Sequence, residues 1–160
     1  MQISAKADYA ARAMLEIALH GPGLVKASLL ISHQDMPAQF VKAILSELRH
    51  AGLLISHRGA GGGYTLAAPP SKITIGAIVR AVDAPLSGAR ESRYEADYQG
   101  AAQHLPLVWS ALETDAQRLL DETTLAQVLA GQLPPRVLRT VNAGRRGEVG
   151  PASAAASSSA

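Results

Sequence analysis

None of the 160 residues is a cysteine. That excludes disulfides, thiolate nucleophiles, cysteine-ligated zinc and iron–sulfur clusters held wholly by thiolates. Aromatic residues are scarce at 4%, while hydrophobic residues overall reach 48%. A core must therefore be assembled from Leu, Ile, Val and Ala, a composition that favours helices. No apolar run approaches the roughly 18 residues needed to cross a bilayer. The opening residues Met1-Gln2-Ile3-Ser4-Ala5-Lys6 are not followed by the apolar stretch of a signal peptide. No membrane partner and a cytoplasmic location are expected.

Catalytic chemistry is thin as well. The five histidines (His20, His33, His50, His57 and His104) form no i, i+4 pair and have no clustered carboxylate partner, so no metal site is expected. Serines are plentiful, yet no Gly-x-Ser-x-Gly elbow occurs. Without a base and nucleophile that can be named together, the chain is expected to be neither an enzyme nor a cofactor carrier. Neither sign of charge dominates, since the formal net charge is +2. Its distribution says more. Residues 1–83 carry eight Lys/Arg against five Asp/Glu, residues 84–131 three against seven, and residues 132–160 four against one. A basic head beside an acidic middle suits a binding module on an assembly segment.

The length allows one domain with a real core and an appendage. Ser4 can cap a first helix that runs to about His20, where Gly21-Pro22-Gly23 stops it. Ala10, Met14, Leu15, Ile17 and Ala18 recur at helical spacing along it. A short helix over about 26–33 follows, then a tight connection at Gln34-Asp35-Met36. A third helix begins at Pro37 and runs to Ala51, with Phe40, Val41, Ile44, Leu45 and Leu48 as its expected buried stripe. Gly52 can end it as a left-handed cap. Leu53-Leu54-Ile55-Ser56-His57 and Tyr64-Thr65-Leu66-Ala67 read as two strands around Arg58-Gly59-Ala60-Gly61-Gly62-Gly63, a hairpin with a basic, glycine-rich tip. Thr74 caps a fourth helix carrying Ile75, Ile78, Val79 and Val82.

The expected fold is therefore mainly α with a small β-hairpin: a winged helix-turn-helix plus a long C-terminal dimerisation helix. The expected division is a winged-helix DNA-binding domain at 1–83, an effector loop at 84–104, dimerisation helices at 105–131 and a disordered tail at 132–160. From Leu105 the helical period is strong, through Val108, Trp109, Leu112, Ala116, Leu119 and Leu120. Such a helix, ~27 Å long, hangs off a head whose core is already filled. A second copy is the cheapest cover for its stripe. A further short helix is expected at about 124–130.

On the third helix Gln39, Lys42 and Ser46 face away from the core stripe. Gln and Lys both suit base-edge hydrogen bonds, and Lys also meets phosphates. An ordinary solvated helix face is the alternative, and helix composition alone favours it. At the hairpin, glycines let backbone N–H groups approach a phosphate closely, and Arg58 has the reach for a minor groove. A merely flexible hairpin is the alternative. A nucleotide-binding loop fails on context, because the strand-like Tyr64-Thr65-Leu66 follows where a helix is required.

Ile3-Ser4-Ala5-Lys6-Ala7-Asp8-Tyr9-Ala10, Leu45-Ser46-Glu47-Leu48-Arg49-His50-Ala51-Gly52-Leu53 and Ser56-His57-Arg58-Gly59-Ala60-Gly61-Gly62-Gly63-Tyr64-Thr65-Leu66-Ala67 resemble the Rrf-Two (Rrf2) family of winged-helix transcriptional regulators, the IscR/NsrR/CymR type. The resemblance spans about 1–131 and includes Ile73-Thr74-Ile75 and Ala81-Val82-Asp83. It implies a homodimer on an imperfect palindromic operator in double-stranded DNA. A repressor is the expected role, although the position of the operator relative to a promoter, which the chain does not encode, decides between repression and activation. By the family pattern 37–42 enters the major groove and the Arg58 wing the minor groove. The implied DNA-binding set is Lys26, Ser28, Pro37, Gln39, Phe40, Lys42, Arg49, Arg58, Gly59, Gly61, Gly62, Gly63 and Tyr64. Cluster-bearing members place three cysteines in the loop matching 84–104, where this chain has Ala89-Arg90-Glu91-Ser92-Arg93-Tyr94. A cluster-free member with no cofactor follows, and Asp8 reads as a helix-start carboxylate. Arg90, Arg93, Tyr94 and Tyr98, near Trp109 in sequence, are candidates for a small-molecule or protein effector pocket. A winged-helix protein-interaction module without DNA binding is the alternative function.

Overall fold

The computed structural model describes residues 3–34, 36–83 and 98–147. Its centre is α1 (Ala5–Leu19), capped by Ser4, whose hydroxyl accepts from the Ala7 N–H at 3.0 Å. Small residues on the inner face, Ala7, Ala10 and Ala13, let neighbouring elements approach closely, while Met14 and Ile17 fill the volume between them. Against α1 pack α2 (Ala27–Gln34), α3 (Ala38–His50), α4 (Ile75–Val82) and the second strand of the hairpin. The Lys6–Glu47 ion pair, 2.7 Å, ties α1 to α3 from outside.

Helix α3 buries Val41, Ile44, Leu45 and Leu48, the expected stripe with one exception. Phe40 is 44% exposed and stacks, tilted, on Tyr9 with centroids 6.2 Å apart. It belongs to the flank of the helix, because one residue before Val41 is a 100° step off a stripe that Ile44 and Leu48 already fill. Ala51 and Gly52, at φ +73°, close the helix.

The hairpin pairs β1 (Leu54–His57) with β2 (Gly63–Leu66) antiparallel, Leu54 opposite Leu66 and His57 opposite Gly63. A third edge was not expected: Val25, in the connection before α2, exchanges both backbone hydrogen bonds with Tyr64, at 3.0 and 2.9 Å. After a 3-10 turn at Pro70–Lys72, Thr74 caps α4 by accepting from the Ala77 N–H.

Of the expected effector loop, 84–97 lies outside the described residues; Gly100–Ala102 forms a 3-10 turn. The long helix is α5 (Leu105–Asp121), and none of its residues is buried. Its last turn docks on α4, where Arg80 meets Asp121 at 2.7 Å above Gly76; any side chain at Gly76 would run into that carboxylate. Leu120, expected on the pairing stripe, instead packs half-buried against the core of the head. Next, α6 (Leu125–Leu129) opens with a complete capping box between Thr124 and Gln127. Backbone hydrogen bonds join 73–75 to 123–125, and Leu125 is fully buried. The segment after α5 is thus stitched into the head's core.

The tail corrects another expectation. Residues 135–147 are helical: α7 (Pro135–Gly147) leans on α5 through Arg136, which reaches Asp115 at 3.5 Å and Glu122 at 4.0 Å. Pro135 is tolerated in a first turn, and the acids of α5 supply a partner that composition alone does not reveal. Residues 148–160 lie outside the described residues. No helix among the described residues is long and apolar enough to cross a membrane.

Candidate nucleic-acid interface

The outward side of the helix-turn-helix is assembled from three short stretches. Lys26 and Ser28, at the start of α2, are both exposed. Pro37 stands exposed at the entry of α3 and gives it no side-chain cap; its carbonyl accepts from the Phe40 and Val41 N–H groups at 2.9 and 3.3 Å, which leaves those of Ala38 and Gln39 without a bond to it. Gln39, Phe40, Lys42 and Arg49 follow along the exposed face of α3, and Ser46 is half-buried. Arg49 lies 3.2 Å from the His50 ring.

The cations divide by partner. Lys6, Arg12, Arg80 and Arg136 each meet a carboxylate. Among the described residues no acid lies within ion-pair distance of Lys26, Lys42 or Arg58; Lys72, Arg118 and Arg139 are also without one. A surface cation with no internal partner keeps its whole field for something outside.

At the wing, Arg58, Gly59 and Gly61 are exposed. Gly59 adopts φ +108°, which L side chains avoid, and its carbonyl accepts from the Gly62 N–H at 2.9 Å. A Cβ on Gly62 would fall on the His57 carbonyl, and one on Gly63 on the Val25 backbone. Gly62, Gly63 and Tyr64 thus already have a structural reason: they close the turn and seat the hairpin on Val25. That same pairing brings Lys26, the next residue after Val25, to the base of the wing. The bridge joins the start of α2 to the wing, and no local sequence signal announces a single-residue bridge.

The histidines hold a second surprise. No clustered carboxylate is expected around them, yet His20 and His33 converge on Glu16, at 3.8 and 3.0 Å. The sequence separation between Glu16 and His33, 17 residues, hides this. Burial by itself would raise the Glu16 pKa, but hydrogen bonds from His33 and Gln34 and the nearness of His33 and His20 outweigh it and hold the carboxyl below its ordinary value. Asp121 behaves likewise, with Gln117 and Arg80 outweighing desolvation.

The remaining candidates fall elsewhere. On α5, Leu105, Val108, Trp109 and Leu112 are exposed, joined by Leu107. Ala116 and Leu119 are half-buried and, with Leu112, floor a groove of about 500 Å³ rimmed by Asp115, Arg136, Arg139 and Thr140. Arg90, Arg93 and Tyr94 lie outside the described residues, and Tyr98 is half-buried. Asp8 pairs with Arg12 at 2.7 Å. Among the described residues no three His, Cys, Asp or Glu gather as a metal site would require.

With this geometry in view, the likenesses to known proteins are informative. The Rrf2 family model, described as an iron-dependent transcriptional regulator, matches residues 3–131. A Mycobacterium tuberculosis (strain H37Rv) protein named as an HTH-type transcriptional regulator, Rv1287, is 42% identical over 139 residues, 86% of each chain. The HTH-type transcriptional regulator IscR of Vibrio atlanticus is 34% identical over 131 residues, 81% of this chain and 75% of its own. Among solved structures, CymR, the global cysteine regulator of B. subtilis, superposes with a TM-score of 0.69 at 30% identity, over 81% of this chain and 97% of that one. IscR of T. potens gives 0.67 at 30% identity, over 82% and 88%.

Proposed function

The chain belongs to the Rrf2 family of transcriptional regulators, and from that premise we propose that it is a homodimeric, sequence-specific DNA-binding repressor that grips a palindromic operator without an iron–sulfur cluster. The observation that carries the reading is the exposed face of α3, where Gln39 and Lys42 meet no partner among the described residues, beside a helix entry with no side-chain cap. Gln can bond an adenine edge in two places, and Lys can reach a guanine edge or a phosphate. At the entry of α3 the exposed Ala38 and Gln39 offer N–H groups at the positive end of the helix dipole, a setting that suits a phosphate. Arg58 at the wing and Lys26 at its base add phosphate or minor-groove contacts on either side.

Pairing comes from α5. Its exposed stripe supports an isologous interface, and two heads would then meet half-sites about 34–36 Å apart or a multiple of that distance. The donor chemistry supports the cluster-free part. A thiolate-held cluster needs cysteines that this chain lacks, and Asp8 is engaged by Arg12. The residues present do not fit a cluster, and no step is assigned to iron.

The test is a titration of the full chain against DNA from its own upstream region, at two salt concentrations with competitor DNA. A specific shift that weakens with salt is expected, and Lys42→Ala should lower the salt slope by about 2, one phosphate contact in each protomer. No shift above competitor would overturn the DNA reading in favour of a protein-binding winged helix. Stoichiometric iron with acid-labile sulfide in anaerobically purified protein would overturn the cluster-free part.

A further inference from the structure

Among the described residues Glu16 is the one charged side chain in the core, 7% exposed in the middle of α1. Both of its oxygens are taken. His33, with its proton on Nδ1, donates to Oε1 at 3.0 Å, and Gln34 donates through Nε2 to Oε2 at 2.8 Å. His20 adds its Nδ1 at 2.9 Å from the Glu16 carbonyl and 3.8 Å from Oε1. Burying a carboxylate is costly unless it is paired, and a leucine of similar volume would often serve stability as well or better. What the carboxylate achieves here is directional. Its two partners on α2 are the last two residues of that helix, and three residues beyond Gln34 the chain enters α3 at Pro37.

We propose that Glu16 is a positioning residue for DNA recognition: it clamps the end of α2 to α1 and so sets the angle at which the next helix, α3, presents Gln39 and Lys42. The inference rests on the DNA-binding reading given above. The apolar contacts of Leu30 and Met36 hold the two helices near α1 without directing them, since apolar packing is non-directional. Two hydrogen bonds to one buried carboxylate fix both the rotation and the axial position of the end of α2. Base readout tolerates little error in that position, while phosphate neutralisation tolerates much more.

The comparison that tests this measures operator DNA and random DNA side by side, for the wild-type chain, Glu16→Leu, Glu16→Gln and the double variant His33→Ala/Gln34→Leu. Glu16→Leu should keep the helical circular dichroism spectrum and its affinity for random DNA. Its operator affinity should fall about tenfold or more, the cost of one lost base contact. Glu16→Gln should recover most of that loss, because an amide can accept from His33 and exchange a bond with a turned Gln34. The double variant removes the same bonds from the half-exposed side, so it should reproduce Glu16→Leu even if the core variant fails to fold. An unchanged operator-to-random ratio in the variants that fold would overturn the proposal and leave the DNA reading standing. A wild-type chain with no preference for any operator would overturn both.

Discussion

Helices α3 and α5 are both amphipathic, and they meet opposite fates. In α3 the stripe of Val41, Ile44, Leu45 and Leu48 is wholly covered by α1, α2, α4 and β1. In α5, four residues longer, no side chain is buried, and five large apolar groups from Leu105 to Leu112 face outward within two turns. Exposed apolar side chains gathered in this way suit a partner surface. The difference teaches a division of labour. One helix uses its apolar face to be held, which leaves its polar face exposed; the other leaves much of its apolar face exposed, the face proposed above for pairing.

The contrast can be broken most directly by truncation. Leu45→Ala should cost about 2–5 kcal/mol of stability in denaturant unfolding. Leu112→Ala, measured at a concentration too low for pairing, should stay within roughly 0.5 kcal/mol of wild type. Equal costs would mean that α5 is a core element after all. Next in size, Val108→Glu with Leu112→Glu should give monomers by sedimentation and lower operator affinity roughly 100-fold, the loss expected when two linked half-sites become independent. If the double variant sediments as a dimer, the pairing face has been misplaced. Arg58→Ala sharpens the reading side: about tenfold weaker operator binding is expected, with a smaller change on random DNA.

Acid should act on the head through the Glu16 clamp. Its folded-state pKa lies below the unfolded one, so the folded state binds fewer protons. The stability this contributes is complete above the ordinary glutamate range and is lost as pH falls through that range toward the depressed value. Denaturant midpoints should therefore drop steeply on the acid side for wild type and less so for Glu16→Gln; parallel curves would assign the acid sensitivity elsewhere. Asp121 contributes in the same direction, but its side chain and that of Arg80 are over two-fifths exposed. Arg80→Ala should accordingly be the mildest change, within about 1 kcal/mol.

Much of the fold could be read directly from residue order, because the relevant signals are local. Caps at Ser4, Thr74 and Thr124, the glycine at 52, the apolar period of α1, α3 and α4, and the hairpin's paired strands all act within a few residues of where they are written. The candidate reading residues Gln39, Lys42 and Arg58 were legible for the same reason: a polar residue opposite a core stripe, and a cation at a glycine turn, are local patterns. Phe40 was misread because hydrophobicity marks a side chain as apolar without giving its angle relative to a stripe that is already full. Helix α7 was missed because Pro134-Pro135 and the Ser/Ala run dominate the composition, while its support comes from acids on α5.

The sequence by itself determined helices α1 to α6, the wing, the family resemblance and the exclusion of thiolate chemistry, since each depends on residue identity and short-range backbone geometry. Only the tertiary structure decided which residues meet across long separations. It joined Val25 to Tyr64, Ile73 and Ile75 to Leu125 and Thr123 at the start of α6, Leu120 to the head's core, and Glu16 to the end of α2. Those contacts follow from how packed helices cross, and a one-dimensional pattern carries no record of a crossing angle.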